Sequence, residues 1–264
     1  MERVRVVVEH HVANVALARS DKHNGLDLAM FDGILAAAER VAAEPGVRAV
    51  VLHGEGPSFC SGLDAPSIIG ELGIERFIAW VRGEGSSPNR AQRAAHGWLE
   101  LPVPVIAALH GACFGGGLQI ALAADIRIAA PDARLSVMEV KLGLIPDMSI
   151  TRTLPRLVAS DVARELTYTG RIVVGAEAHR LGLVTRLSED PLTAARALAA
   201  EIAQRSPDAV RAAKRLYEEA WTGSRERTLA LEAQLQLGLL GSPNQLAAAT
   251  AALTKRPAQF TDPS

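Results

Sequence analysis

The sequence predicts an α/β body followed by a helical C-terminal region. Short β-branched or apolar runs alternate with helical stripes before residue 160, two of those runs end in glycine-rich loops, and beyond Ser160 the pattern is mostly helical. With 264 residues, 48% of them hydrophobic, the chain is long enough to bury a large core in one main body.

Arg3 to Glu9 and Asn14 to Ala18 are rich in β-branched residues and predict two strands of a hairpin around His10 to Ala13. Asp27 is placed to cap a helix running to about Ala43, with Leu28, Phe31, Leu35, Ala38 and Ala42 as its apolar stripe and Pro45-Gly46 as its stop. Arg48 to His53 predicts a buried strand, Gly54 to Asp64 a glycine-rich loop and Ile68 to Val81 a helix. The polar breaker Gly83 to Asn89 is a candidate mobile loop. Pro104 to Leu109 predicts a second strand, His110 to Gly117 a second glycine-rich loop, Leu118 to Ala124 a short apolar helix and Asp125 to Ala130 a further strand. Thr193 to Arg205, Pro207 to Trp221 and Arg225 to Leu239 read as helices, and Gly241-Ser242-Pro243 separates a last helix ending near Lys255-Arg256-Pro257.

Composition narrows the function classes. A net charge of -1 gives no long-range pull toward nucleic acid or an anionic membrane. Cys60 and Cys113, in separate loops, form neither a disulfide framework nor a metal cluster pattern, which favours a reducing compartment. No apolar run is long enough to span a bilayer and no signal peptide is evident, so a soluble, cytoplasmic protein is expected. His23, His53, His96 and His110 lack metal-ligand spacing and read as structural. Cys60 and Cys113 read as small fillers beside glycines, and Trp98 and Trp221 as packing residues.

Gly115-Gly116-Gly117 lies between a strand and a short helix, where the backbone can approach a ligand and free N–H groups at the helix start attract negative charge. It fits neither a dinucleotide fingerprint nor a P-loop. Taken alone it is better read as a tight packing turn.

Three segments together carry more: Phe59-Cys60-Ser61-Gly62-Leu63-Asp64, His110-Gly111-Ala112-Cys113-Phe114-Gly115-Gly116-Gly117, and Glu139-Val140-Lys141-Leu142-Gly143-Leu144-Ile145-Pro146-Asp147. In order and spacing they resemble the crotonase (enoyl-CoA hydratase/isomerase) family. The resemblance runs from Asn24-Gly25-Leu26 to Lys255-Arg256-Pro257 and Phe260, and is weaker between Pro66 and Trp98 and after Ser188.

That resemblance implies a ββα superhelix over residues 1–190 and a helical trimerisation region over 191–264. It also implies an acyl-CoA thioester substrate whose coenzyme A is part of the substrate, with no separate cofactor and no metal. The backbone N–H groups of Leu63 and Gly116 would form an oxyanion hole. Deprotonation beside a thioester, or addition of water to its conjugated double bond, places negative charge on the carbonyl oxygen, and one preorganised donor there is worth about 3 to 4 kcal/mol of barrier.

Family hydratases resemble one another in carrying a Glu at the position of Gln119 and a second at that of Glu139. Here the first is an amide, which can orient water but cannot exchange a proton near neutral pH. Glu139 stands among Val137, Met138, Val140 and Leu142, a setting expected to desolvate it and raise its pKa. The segment also resembles the dienoyl-CoA isomerase branch, where a Glu and an Asp at the positions of Glu139 and Asp147 move a proton between carbons. That branch has an Asp where Gln119 stands. Asp147 has two open readings, proton transfer and capping of a helix over Ile150 to Val158.

The expected function is therefore enoyl- or dienoyl-CoA isomerisation, with hydration and non-catalytic acyl-CoA binding as alternatives. Catalysis falls to Glu139 and Asp147, and contact with substrate to Asp64, Gln119 and Lys255. The apolar C-terminal helices predict subunit contacts, and the resemblance implies a trimer or hexamer in which Lys255 approaches a CoA phosphate.

Overall fold

The N-terminal hairpin forms because Val4–Glu9 (β1) and Val12–Leu17 (β2) are joined by a tight turn in which His10 and His11 both take positive φ. The strands pair antiparallel, Val4 opposite Leu17, so the second strand begins two residues earlier than its β-branched content indicates. The computed structural model describes residues 2–83 and 87–263; part of the predicted mobile loop, residues 84–86, lies outside them.

Leu28–Ala42 is helix α1, capped by Asp27, whose carboxylate accepts the Met30 N–H at 2.8 Å. The predicted stripe is rotated: the buried positions are Met30, Phe31, Ile34, Ala37 and Val41, while Leu35 and Ala38 are half-buried and Ala42 is exposed. Ile34 and Val41 offer more apolar area than Ala38 and Ala42, and packing selects the larger side chains.

Strand Ala49–Gly54 (β3) is followed by Ala65–Arg82 (α2), which is kinked at Gly73, and Arg90–Glu100 (α3), which starts in an Asn89/Gln92 capping box. Next come Val105–Leu109 (β4), Ala112–Phe114 (β5), Gly116–Leu122 (α4), Ile126–Ala129 (β6) and Arg134–Ser136 (β7). The helix expected over Ile150 to Val158 is only Ile150–Thr153 (α5) followed by a 3-10 turn at Leu154–Arg156. Pro155 has no N–H with which to continue an α-helix.

Ser160–Thr169 (α6), Val173–Val174 (β8), Gly175–Leu181 (α7) and Arg186–Leu187 (β9) lead to Pro191–Ala203 (α8), Pro207–Ala220 (α9), Arg225–Leu239 (α10) and Pro243–Thr254 (α11). The short strands β5, β7, β8 and β9 correct the simpler pattern read from sequence, since two or three residues are too few to display an alternation.

Among the described residues, one sheet runs β1-β2-β3-β4-β6-β9, parallel after the hairpin, and a second runs β5-β7-β8. Val50 and Leu52 face the main core beneath α1, α3 and α4, whereas Ala49 and Val51 face α8. Burial on both faces explains the unbroken apolar runs of β3 and β4. Ala195, Ala199 and Ala203 form the contact side of α8, small enough to let the helix lie close on the sheet.

Buried Lys214 ties α9 to the core, donating to the Val103 carbonyl and pairing with Asp125, both at 2.9 Å. The C-terminal segment returns to the hairpin side, where Arg48 binds Asp262 at 2.8 Å and the Phe260 carbonyl. Trp98 is fully buried, as expected of a packing residue. Trp221 is not: it is 60% exposed, with the Arg156 guanidinium over its ring. No helix among the described residues is long and apolar enough to cross a membrane.

Candidate active site

The loops that follow β3 and β4 lie side by side. Phe59 N–H donates to the His110 carbonyl, Cys60 N–H to that of Ala112, and Phe114 N–H to that of Cys60, at 2.9 to 3.0 Å. Gly62 has φ +89°, and a Cβ there would stand 2.8 Å from the Phe114 carbonyl oxygen. At Gly117 a Cβ would come 2.6 Å from the Cys60 carbonyl oxygen. Both positions need glycine for the loops to touch.

Buried Asn24 ties the first loop from below, donating to the Glu55 and Ser58 carbonyls and accepting the Arg19 N–H. Leu26 N–H binds the Gly62 carbonyl and Asp64 N–H binds that of Leu26, bracketing Leu63. The N–H groups of Leu63 and of Gly116, the first residue of α4, have no acceptor among the described residues. Both residues line one cavity of about 400 Å³, with Glu139, Asp147 and Gln119 in the same lining. Three segments far apart in sequence therefore meet at one cavity.

Glu139 begins a 3-10 turn, Glu139–Leu142. The buried Gln119 carboxamide reaches it from α4: its Nε2 donates to Glu139 Oε1 at 2.6 Å, and its Oε1 accepts the Met148 N–H at 2.8 Å. A carboxamide suits this place because it must donate on one side and accept on the other, which an ionised carboxylate cannot do. Oε2 of Glu139 is buried with no partner among the described residues.

Burial raises the Glu139 pKa above the ordinary carboxylate value, and the nearby charge of Asp147 adds to it; the Gln119 hydrogen bond opposes both without cancelling them. The expected source of that desolvation needs correction. Val137 is buried and both Met138 and Leu142 line the cavity, although Leu142 is also 66% exposed; Val140 is exposed and lies outside the lining.

Asp147 stands at the cavity rim, an exposed residue whose carboxyl group is sufficiently enclosed for burial to raise its pKa too. It does not cap a helix: Ser149 precedes α5 in a left-handed conformation, and no α5 amide donates to Asp147. Asp64, expected to contact substrate, lies outside the cavity lining. Its carboxylate caps α2 through the Ser67 N–H, accepts the Ser67 hydroxyl at 2.6 Å and pairs with Arg19 at 2.8 Å. Burial pushes its pKa up, but those hydrogen bonds outweigh it and leave the group below the usual range. Lys255 is the exposed left-handed cap of α11 and is not in the lining of this chain's own cavity.

None of the four singled-out histidines lines the cavity; His23 bonds Ser58, and His110 bonds the Gly56 carbonyl. Cys60 and Cys113 are fully buried, and burial pushes the Cys60 thiol up to about 12, so neither is a nucleophile near neutral pH. Sequence reasoning missed the apolar wall: Phe31, Phe77, Trp80 and Phe114. Phe114 carried a signal, lying inside the second glycine motif. Phe77 and Trp80 carried none, since the lining face of α2 depends on its kink.

The enoyl-CoA hydratase/isomerase family model matches residues 8–263. The chain is 34% identical to a probable enoyl-CoA hydratase of Bacillus subtilis, over 98% of this chain and 99% of that one. It is 32% identical to the mouse mitochondrial Delta(3,5)-Delta(2,4)-dienoyl-CoA isomerase, over 94% and 78%. An enoyl-CoA hydratase structure from Bacillus anthracis superposes with a TM-score of 0.90 at 30% identity, covering 98% of each chain. The chain therefore belongs to the crotonase, or enoyl-CoA hydratase/isomerase, family.

Proposed function

We propose that this enzyme isomerises the double bonds of an enoyl- or dienoyl-CoA thioester, with Glu139 and Asp147 moving a proton between carbons. The observation that carries this reading is the engagement of Gln119. Its amide is bonded on both sides and exchanges no proton with Glu139, while Asp147 faces the same cavity from the other end of the 139–147 segment.

In this reading the thioester oxygen lies between the Leu63 and Gly116 N–H groups, which stabilise the enolate more than the ground state. Glu139 uses its unpaired Oε2 to take a proton from the substrate, and its raised pKa brings it nearer the strength of base the step requires. Asp147 delivers a proton at the distal carbon, an exchange favoured by the burial that raises its pKa. Gln119 fixes Glu139 without exchanging a proton. A second reading, hydration with Glu139 and Asp147 sharing a water, is supported by the likeness to enoyl-CoA hydratases.

Turnover on matched enoyl-CoA and dienoyl-CoA substrates, compared between wild type and Gln119→Glu, tests the choice. Isomerisation should dominate in the wild type, and Gln119→Glu should shift the balance toward hydration by adding the second acid. Dominant hydration by the wild type would establish the second reading, and absence of any turnover would leave a binding protein.

Self-association through the C-terminal helices, as a trimer or a dimer of trimers, is supported by the exposure of Leu229, Leu237, Leu240, Leu246 and Leu253. Light scattering at micromolar concentration should give a trimer or hexamer mass; a monomer would refute the assembly.

A further inference from the structure

We propose that the acyl group this cavity takes carries an aromatic ring close to the thioester. The inference rests on the acyl-CoA reading above and deepens it by naming a substrate class. Aromatic residues make up 4% of this chain, yet three of its five phenylalanines and one of its three tryptophans line the cavity that holds Glu139 and Asp147.

The rings form an ordered wall. Phe31 meets Trp80 edge-on, with centroids 4.9 Å apart and planes at 62°, and Phe77 lies nearly parallel to Trp80, 6.1 Å away with planes at 18°. Phe31 is 1% exposed and anchored in the core, whereas Phe77 and Trp80 are half-buried, retaining surface for a guest. Phe114 adds a ring from the second glycine loop, two residues before the Gly116 amide, and is braced by the Arg134 guanidinium 5.7 Å from its centroid. Such a wall offers edge and face contacts that a planar ring meets with matching quadrupoles, while a saturated chain gains dispersion alone. A rigid guest also loses less rotational freedom on binding than a flexible chain of equal carbon number.

Two of the four rings, Phe77 and Trp80, come from α2, in the stretch Pro66 to Trp98 where family resemblance is weak. Gly73, with φ +72° and no atom within 4 Å of a would-be Cβ, turns the second half of α2, which carries Phe77, Trp80 and Val81 toward the cavity. The remaining lining there, Ala91, is small. The cavity, about 400 Å³, suits an acyl end rather than a whole acyl-CoA.

Isothermal titration with phenylacetyl-CoA and octanoyl-CoA, matched in acyl carbon number and without a double bond to move, tests the class, with free coenzyme A as baseline. Wild type should bind phenylacetyl-CoA about tenfold more tightly than octanoyl-CoA. The double variant Phe77→Leu/Trp80→Leu should bring the ratio close to parity, and Trp80→Phe should keep most of it. Because ligand rigidity alone would survive the double substitution, a preference unchanged in that variant overturns the proposal. Tighter octanoyl-CoA binding by the wild type also overturns it while leaving the acyl-CoA reading intact. If neither thioester binds better than coenzyme A, the acyl-CoA reading of the cavity fails and this proposal fails with it. Should circular dichroism show the double variant unfolded, Phe77→Leu alone is held to the same ratio, with a reduced preference expected and an unchanged one overturning the wall.

Discussion

Asp64 and Glu139 each belong to a motif segment at a glycine loop, yet their surroundings drive their acidities in opposite directions. Asp64 receives a guanidinium, a hydroxyl and a backbone amide, and sits below the usual carboxylate range. Glu139 receives one carboxamide N–H, keeps a bare buried oxygen, and sits above that range. Glu139 is the more deeply buried of the two and Asp64 the better supplied with donors, and both differences push in the same direction. An acid that is already satisfied serves the fold, and one that is under-satisfied beside a cavity is free to exchange a proton.

The largest effect is expected at Glu139. Glu139→Gln should lower kcat by about a thousandfold or more while substrate binding, measured by titration, stays nearly unchanged, because the amide keeps the shape and loses the base. In the wild type, activity should fall as pH drops through the Glu139 pKa. The acid limb of kcat/KM should therefore lie above the ordinary glutamate range, since protonation removes the base.

Gly116→Pro removes a candidate donor and should cost about a hundred- to a thousandfold in kcat. Leu63→Ala should be much milder, because the N–H and not the side chain is used. Asp147→Asn should reduce isomerisation by about a hundredfold if that carboxyl group carries the proton. Full retention in a steady-state assay would return Asp147 to the rim as a bystander.

Asp64→Ala should be the smallest change in rate, within about threefold in kcat/KM, with a loss of roughly 1 kcal/mol in stability from the cap, since Arg19 keeps Asp27 and the Gly25 carbonyl as partners. Its folded pKa is depressed, so its contribution is full at neutral pH and lost as pH falls through that value. Denaturant melts of wild type and variant should accordingly differ at neutral pH and converge in strong acid.

What was legible in sequence follows the same physics. The glycine loops could be read because their function resides in backbone, and Gly62 and Gly117 are required by geometry that no other residue satisfies. Asp27 could be read as a cap because capping is local. The role of Asp64 is signalled in its own neighbourhood, an Asp directly before Ala65-Pro66 being a helix start. The α1 stripe was misread because alanines allow two helical faces, and the choice between them is made by the sheet. Gln119 could be recognised as unable to shuttle a proton, but its grip on both Glu139 and the Met148 amide is tertiary. The aromatic wall depends on the kink at Gly73, which re-aims the second half of α2, and periodicity along the chain cannot report that turn.

In the proposed reaction Glu139 and Asp147 move a proton between carbons of an acyl-CoA while Gln119 only holds Glu139 in place. The most direct measurement presents wild type with a 3,5-dienoyl-CoA and, separately, the matching 2-enoyl-CoA, and quantifies shifted-double-bond and hydrated products by mass over time. With Gln119 in place, kcat/KM for double-bond migration should exceed that for hydration by about tenfold or more. Predominant hydrated product, with the dienoyl-CoA returned unchanged, would contradict it.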